Sequence, residues 1–189
     1  MQELIASDQQ ALLFLNGLGN STFDQFWILV SDKWIWIPLY IIFLYYLIKS
    51  FPTRSLIYIL IFVALGVTVS DQLASLFKNG IMRPRPCHDD YVKPLMRFVQ
   101  CGGPYGFYSG HASNTFFLAS FLTFMLRKKY KWLPFVLVIW AVTVSYSRIY
   151  LGVHYPLDVA TGALIGFLLG GLFSTLAWNT IHKKNKVSA

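Results

Sequence analysis

Three short stretches of this chain carry side chains able to handle an anion. They are KNGIMRPRP, with Lys78 and Arg85; YSGHASN, with Ser109, Gly110 and His111; and SRIYLGVHYPLD, with Arg148, His154 and Asp158. A guanidinium matches phosphate oxygens with paired hydrogen bonds, whereas a lysine acts as a point charge. Lys78, Arg85 and Arg148 therefore offer a cationic cradle, and Ser109 adds a hydroxyl. The amides of Gly110 and His111 begin a helix, whose positive end attracts the same anion. Pro156 suits the first turn of another helix, which puts Asp158 in that turn and His154 just ahead of it. A carboxylate beside an imidazole fixes its tautomer and stabilises its cationic form. That pairing orients one histidine for nucleophilic attack and leaves His111 for acid–base work. Singly, each residue has a plainer explanation: a capping histidine, a helix-start aspartate, a snorkelling arginine. Their occurrence together on one membrane face is what points to a site.

Membrane helices must position these groups. The 189-residue chain is 56% hydrophobic with a mean hydropathy of +0.52. That is too apolar for an ordinary soluble domain and short enough for a single one, taken as residues 1–189. The net charge of +8 falls in short tracts between apolar runs, the pattern of a membrane protein and not of a nucleic-acid binder. No secretory signal is evident, since acids stand where a basic leader would be. Leu4, Ile5, Ala11, Leu12, Leu15 and Leu18 recur at roughly helical spacing. Residues 1–22 are expected to form an amphipathic helix in the membrane interface, ended by Gly17 or Gly19, or a helix folded over the bundle.

The expected fold is all-α, a polytopic helical bundle with five transmembrane segments at 34–48, 55–77, 112–126, 132–147 and 157–178. The first extends back to Phe26 if Phe26–Val30 joins it. Three of these hold only about 15 apolar residues, roughly 22 Å of helix against a hydrocarbon core of roughly 30 Å. Polar groups at their ends must then sit partly within the membrane. Basic tracts follow the first, third and fifth segments: Lys49 with Arg54, the RKKYK run, and the HKKNK tail. The positive-inside rule makes these cytoplasmic and leaves the 78–110 loop and the 149–156 turn outside. Five cations in that loop, Lys78, Arg83, Arg85, Lys93 and Arg97, run against the rule, and an anionic ligand is the simplest reason.

These stretches resemble the three motifs of the type 2 phosphatidic acid phosphatase (PAP2) superfamily. K-x6-R-P matches Lys78, Arg85 and Pro86; P-S-G-H matches Ser109, Gly110 and His111; S-R-x5-H-x3-D matches Ser147, Arg148, His154 and Asp158. Tyr108 replaces the motif proline, which should alter the loop and not abolish activity. The resemblance implies a metal-independent lipid phosphatase without a cofactor. His154 would form a phosphohistidine, Asp158 would hold its tautomer, and His111 would protonate the leaving oxygen and then activate water. Lys78, Arg85, Ser109, Gly110 and Arg148 would bind the phosphoryl oxygens. Three fixed cations could stand in for the metals of other phosphoryl-transfer sites. Among substrates, the family suggests undecaprenyl diphosphate first, then phosphatidylglycerol phosphate or lipid A phosphate.

Cys87 and Cys101 flank the middle of the outer loop and could form a disulfide in an oxidising compartment. The CHDD run lacks the spacing of a closed zinc set. Gly162, Gly166 and Gly170 make a close-approach stripe, read as packing within the monomer ahead of a dimer seam, with oligomeric state left open. Asp71, inside the second segment, would pair with a buried cation, help orient the site, or be hydrated near the surface. Tryptophans and tyrosines are expected to form interfacial belts. Two other activities fit the residues: a phosphotransferase of the same fold, and more distantly a non-enzymatic anion transporter. The expected place is the cell membrane, the inner one in a Gram-negative cell, with the site on the periplasmic or extracellular side.

Overall fold

The computed structural model describes residues 2–187, with side chains described through Lys183. Met1, Ser188 and Ala189 of the expected domain, and the side chains of Lys184 and Lys186 in the basic tail, lie outside the described residues. The described residues form seven α-helices: α1 Gln2–Gly17, α2 Ser21–Ser31, α3 Ile37–Ile48, α4 Thr53–Ile81, α5 Gly110–Leu126, α6 Leu133–Tyr150 and α7 Pro156–Val187. Helices α4, α6 and α7 are each long and apolar enough to cross a membrane. Helices α2 and α3 pass the same test only as a pair bent by 64°. Length and composition thus support three or four spans, and the expected five requires α5 to count as well. At 17 residues, α5 measures about 26 Å.

The bend between α2 and α3 has a local cause. Asp32 ends α2 by donating its N–H to Leu29 O, and its carboxylate then caps the 3-10 turn Lys33–Trp36 through Trp34 N at 3.0 Å. Pro38 opens α3 in the first turn, where its missing N–H costs nothing. The continuous run suggested by Phe26–Val30 is therefore broken.

Helix α5 is the axis of the bundle and buries Ala112, Ser113, Phe117 and Phe121. Lipid supplies little hydrophobic drive between helices, so close packing by small residues carries the association. The glycine stripe does this. A Cβ on Gly162 would strike Ser109 O, one on Gly166 would strike Ser113 O, and one on Gly170 would strike Phe117 O. The stripe therefore packs α7 on α5 within the chain, as expected. Across the bundle, Ser70 and Ser113 hydroxyls meet at 2.7 Å and tie α4 to α5. Trp140 of α6 takes edge contacts from Trp36, Tyr40 and Phe43 at 5.9–6.1 Å, each worth about 0.5–1.5 kcal/mol beyond burial.

The two ends of the bundle differ. Lys129 donates to Lys49 O at 2.6 Å, and Lys128 lies 6.0 Å from the Trp178 ring, so the basic tracts gather at one end. Lys78 lies near the far end of α4 from Arg54, about 36 Å away at 1.5 Å per residue. Helix α1 folds over that far end, ending at Gly17. Its buried stripe, Asp8, Leu12 and Asn16, is mostly polar, while Leu4, Ile5, Phe14 and Leu18 stay exposed. Asn16 donates to Tyr150 O at 2.8 Å and accepts from Arg97 N at 2.7 Å.

Candidate active site

Helix α4 stops at Met82, which takes a left-handed conformation (φ 51°) and leaves Lys78 in the last turn. The chain then enters the 83–109 loop. Arg85 N donates to Pro104 O at 3.0 Å and Gly106 N to Arg83 O at 2.9 Å, which pairs the start of the loop with its end. The Cys87–Cys101 disulfide closes it further, with Cα atoms 5.8 Å apart. Among the described residues one group has metal-ligand spacing, Cys87, His88 and Cys101, and the disulfide occupies both of its sulfurs. Inside this frame Arg85 Nε donates to Tyr105 O at 3.1 Å. Burial pushes its pKa down, opposed by the charge of Asp158.

The second motif starts α5. Ser109, fully buried, caps the helix by accepting from Ala112 N at 3.4 Å. Its own N–H donates to Asp158 O at 3.0 Å, which fastens the second motif to the third. His111 follows in the first turn and opens onto a cleft that Lys78 and Gly110 also line. Tyr108, at the position of the motif proline, is buried with its ring 5.4 Å from that of Phe77.

The third motif turns from α6 into α7. Gly152 sits at φ 72°, a conformation side-chain-bearing residues rarely adopt, and lets the chain reverse. Val153 N and His154 N both donate to Arg148 O, at 3.1 and 3.3 Å. Arg148 is itself buried; its Nη1 bonds Ser31 Oγ, and its Nε finds no acceptor in the protein. A phosphoryl oxygen would satisfy that donor.

His154 is 1% exposed, and its Nδ1 lies 3.5 Å from Asp158 Oδ2. That is long for a hydrogen bond, as contacts of this kind often are before substrate binds. Burial, then the charges of Arg85, Arg148 and Lys78, hold its pKa well below 6.5, so it is neutral at physiological pH. Asp158 is held on both oxygens: Oδ2 accepts from Tyr155 N at 3.0 Å and Oδ1 from Arg83 Nη1 at 2.8 Å. Gly106 leaves room for this pair, since a Cβ there would lie 3.1 Å from Asp158 Oδ2.

The structure thus brings the three motifs to one end of the bundle and corrects the reading of the loop cations. Lys78 and Arg85 interact electrostatically with His154. Arg83 and Arg97 instead form ion pairs within the protein. Arg83 Nη2 reaches Asp8 of α1 at 2.6 Å, completing a chain Asp8–Arg83–Asp158, and its guanidinium lies 4.0 Å from the Tyr155 ring centre. Arg97 pairs with Asp24 at 2.8 Å. Lys93 is exposed. Asp71 forms no close ion pair among the described residues, though its charge acts on half-buried Lys78; it accepts from Asn114 Nδ2 at 2.7 Å and lines the cleft. Reading the sequence missed Asp8, Arg83 and Ser31 as partners of the site. The one signal was Arg83 inside RPRP, a second arginine too close to Arg85 to serve the same cradle.

Comparison with known proteins gives a consistent result. The PAP2 superfamily model matches residues 52–182. A lipid A 4'-phosphatase from Bacteroides thetaiotaomicron is 40% identical over 90% of this chain and 76% of its own length. One from Porphyromonas gingivalis is 38% identical over 90% of this chain and 72% of its own. The crystal structure of a transmembrane PAP2 type phosphatidylglycerolphosphate phosphatase from Bacillus subtilis superposes with a TM-score of 0.70, at 22% identity, over 97% of this chain and 88% of that one. Backbone, motif order and long alignments agree, and the chain belongs to the PAP2 superfamily, among its multi-pass membrane lipid phosphatases.

Proposed function

We propose that this phosphatase removes the 4'-phosphate of lipid A through a phosphohistidine on His154. Similarity to two lipid A 4'-phosphatases over nine-tenths of the chain carries the choice of substrate. The undecaprenyl diphosphate preferred from sequence alone has weaker support. An undecaprenyl-diphosphatase from Sulfolobus acidocaldarius is 31% identical over 71% of this chain and 59% of its own length.

In this reading Lys78, Arg85 and Arg148 hold the phosphoryl oxygens, with the Ser109 hydroxyl and the amides at the start of α5. Charge develops on those oxygens in the transition state, and donors fixed beforehand need no reorganisation to stabilise it. His154 Nε2 attacks phosphorus while Asp158 keeps the proton on Nδ1. His111 gives a proton to the departing sugar oxygen. It then takes one from water, whose oxygen attacks the phosphohistidine, freeing inorganic phosphate and restoring His154. The basic end of the bundle faces the cytoplasm and the site faces the opposite side of the cell membrane.

The test is phosphate release by the solubilised protein with EDTA present, from lipid A, undecaprenyl diphosphate and phosphatidylglycerol phosphate. Each is compared with His154→Ala. Release fastest from lipid A and absent in the variant is expected. Undiminished release by the variant refutes the nucleophile, and a faster rate on the diphosphate refutes the substrate. Transfer of phosphate to a lipid acceptor in place of water would identify a phosphotransferase.

A further inference from the structure

The cleft beside His111 runs deeper than a phosphate needs. It has a volume of about 530 Å³, opens at Lys78, Gly110 and His111, and passes Asp71 and Asn114 before reaching Tyr40, Val67 and Leu118. Those last three residues also wall a second groove of about 260 Å³, whose remaining lining is apolar, Phe43 and Leu47 included. From the site inward the path is therefore cationic, then polar and uncharged or anionic, then apolar. A lipid phosphate has the same order: phosphoryl group, backbone, chains.

The middle layer distinguishes one backbone from another. Asp71 stands two turns before Lys78 on α4, about 10 Å deeper along the helix. A carboxylate is costly on a membrane-crossing helix and is kept there where it serves a polar path. Asn114 lies one turn below His111 on the same face of α5. Its amide donates to Asp71 Oδ1 at 2.7 Å, and its own carbonyl oxygen is buried with no protein donor. Asp71, exposed on the cleft wall, thus offers a carboxylate to the leaving group, and Asn114 beside it carries a buried carbonyl oxygen still without a donor. Hydroxyl and amide N–H groups fit such acceptors. An anionic leaving group does not, because it would meet the Asp71 carboxylate. Lys33, on the cleft wall, is turned toward the Trp34 ring at 5.1 Å.

We propose that Asp71 and Asn114 form a binding site for the hydroxyl- and amide-bearing sugar backbone of the substrate, and that Asp71 disfavours diphosphates, whose leaving group is itself a phosphate. The proposal rests on the lipid A reading above. The experiment measures kcat/KM for lipid A and for undecaprenyl diphosphate with the full chain, as wild type, Asp71→Asn and Asn114→Ala. Thermal unfolding in detergent confirms that each variant is folded. Both variants should lower the lipid A to diphosphate ratio by roughly tenfold or more, the scale of one charge-assisted hydrogen bond. In Asp71→Asn part of the change should come from a rise on the diphosphate. If wild type acts on lipid A and the ratio is unchanged in both folded variants, the cleft assignment is overturned and the proposed function stands. If wild type is inert on lipid A but active on the diphosphate, both fall.

Discussion

Replacing Arg83 with methionine keeps an apolar side chain of similar reach and removes the guanidinium that lies over Tyr155 and bridges Asp8 and Asp158. The two aspartate side chains are 1% and 0% exposed, and Arg83 itself is 19% exposed. Removing one partner of a fully buried ion pair costs about 3–5 kcal/mol, because the other charge is left without compensation. Here Asp158 keeps Tyr155 N and Asp8 keeps Leu157 N at 2.9 Å, so a cost near 2–3 kcal/mol is the reasoned value. Asp158 remains beside His154 but loses the anchor on its second oxygen. If most of that cost falls on the geometry His154 needs, kcat drops by roughly 30- to 100-fold. KM should change little, since Arg83 is spent on carboxylates. Arg83→Lys should recover only part of the loss, because an ammonium cannot bridge two carboxylates as a planar fork does. Asp8→Asn should give a smaller loss in the same direction. The double variant should be less damaged than the two single losses combined, the mark of coupled residues. Phosphate release in detergent gives the kinetics, and trapping of phosphohistidine separates slow attack from slow hydrolysis. A folded Arg83→Met enzyme with wild-type kcat refutes the idea that α1 and Arg83 position the site.

Two further outcomes follow from the same geometry. His154 must be neutral to attack, and burial with three nearby cations holds its pKa below 6.5, so kcat/KM should stay high as pH falls through 6.5 and decline only in more acid solution. Arg85→Met removes a like charge, raises the pKa of His154 and should move that acid limb upward; a limb that shifts downward or not at all contradicts the assignment. Gly166→Val would drive a side chain into Ser113 O, force α7 from α5 and cost about 1–3 kcal/mol, read as a lower unfolding temperature in detergent together with reduced kcat. An unchanged unfolding temperature would show that the stripe tolerates separation.

Most of the site was legible because its chemistry is local. Gly110 and Pro156 begin helices, so the placement of His111, His154 and Asp158 follows from helix starts alone. The glycine stripe was equally direct, since a four-residue period names one helical face. What escaped depends on contacts between distant segments. The partner of Arg83 is 75 residues away on each side, at Asp8 and Asp158, and a count of cations cannot show which are already neutralised. Helix α1 was read from its leucines, and Leu12 and Leu15 do pack with Val92 and Met96, yet it docks through Asp8 and Asn16 as well, because the end of the bundle also presents backbone carbonyls, backbone amides and an arginine. The bend at Asp32 was hidden because hydropathy averages over a capping residue. The disulfide needed only two cysteines and a loop able to close.

The contact of α7 with α5, backbone against glycine, divides this molecule into parts with different freedom to evolve. One part carries the histidines, and almost any added atom along its seam collides with a carbonyl. The other is the outer face of α3 and α4, whose Ile41, Ile42, Ile57 and Leu60 are exposed, turned away from the Gly66 and Ser70 side that packs on α5. Mutation can reshape that face while the reacting groups stay in place. Relatives of this chain carry names specifying lipid A, a polyprenyl diphosphate and phosphatidylglycerophosphate. Such a spread is what a lineage would produce if it kept the seam and revised the outer face.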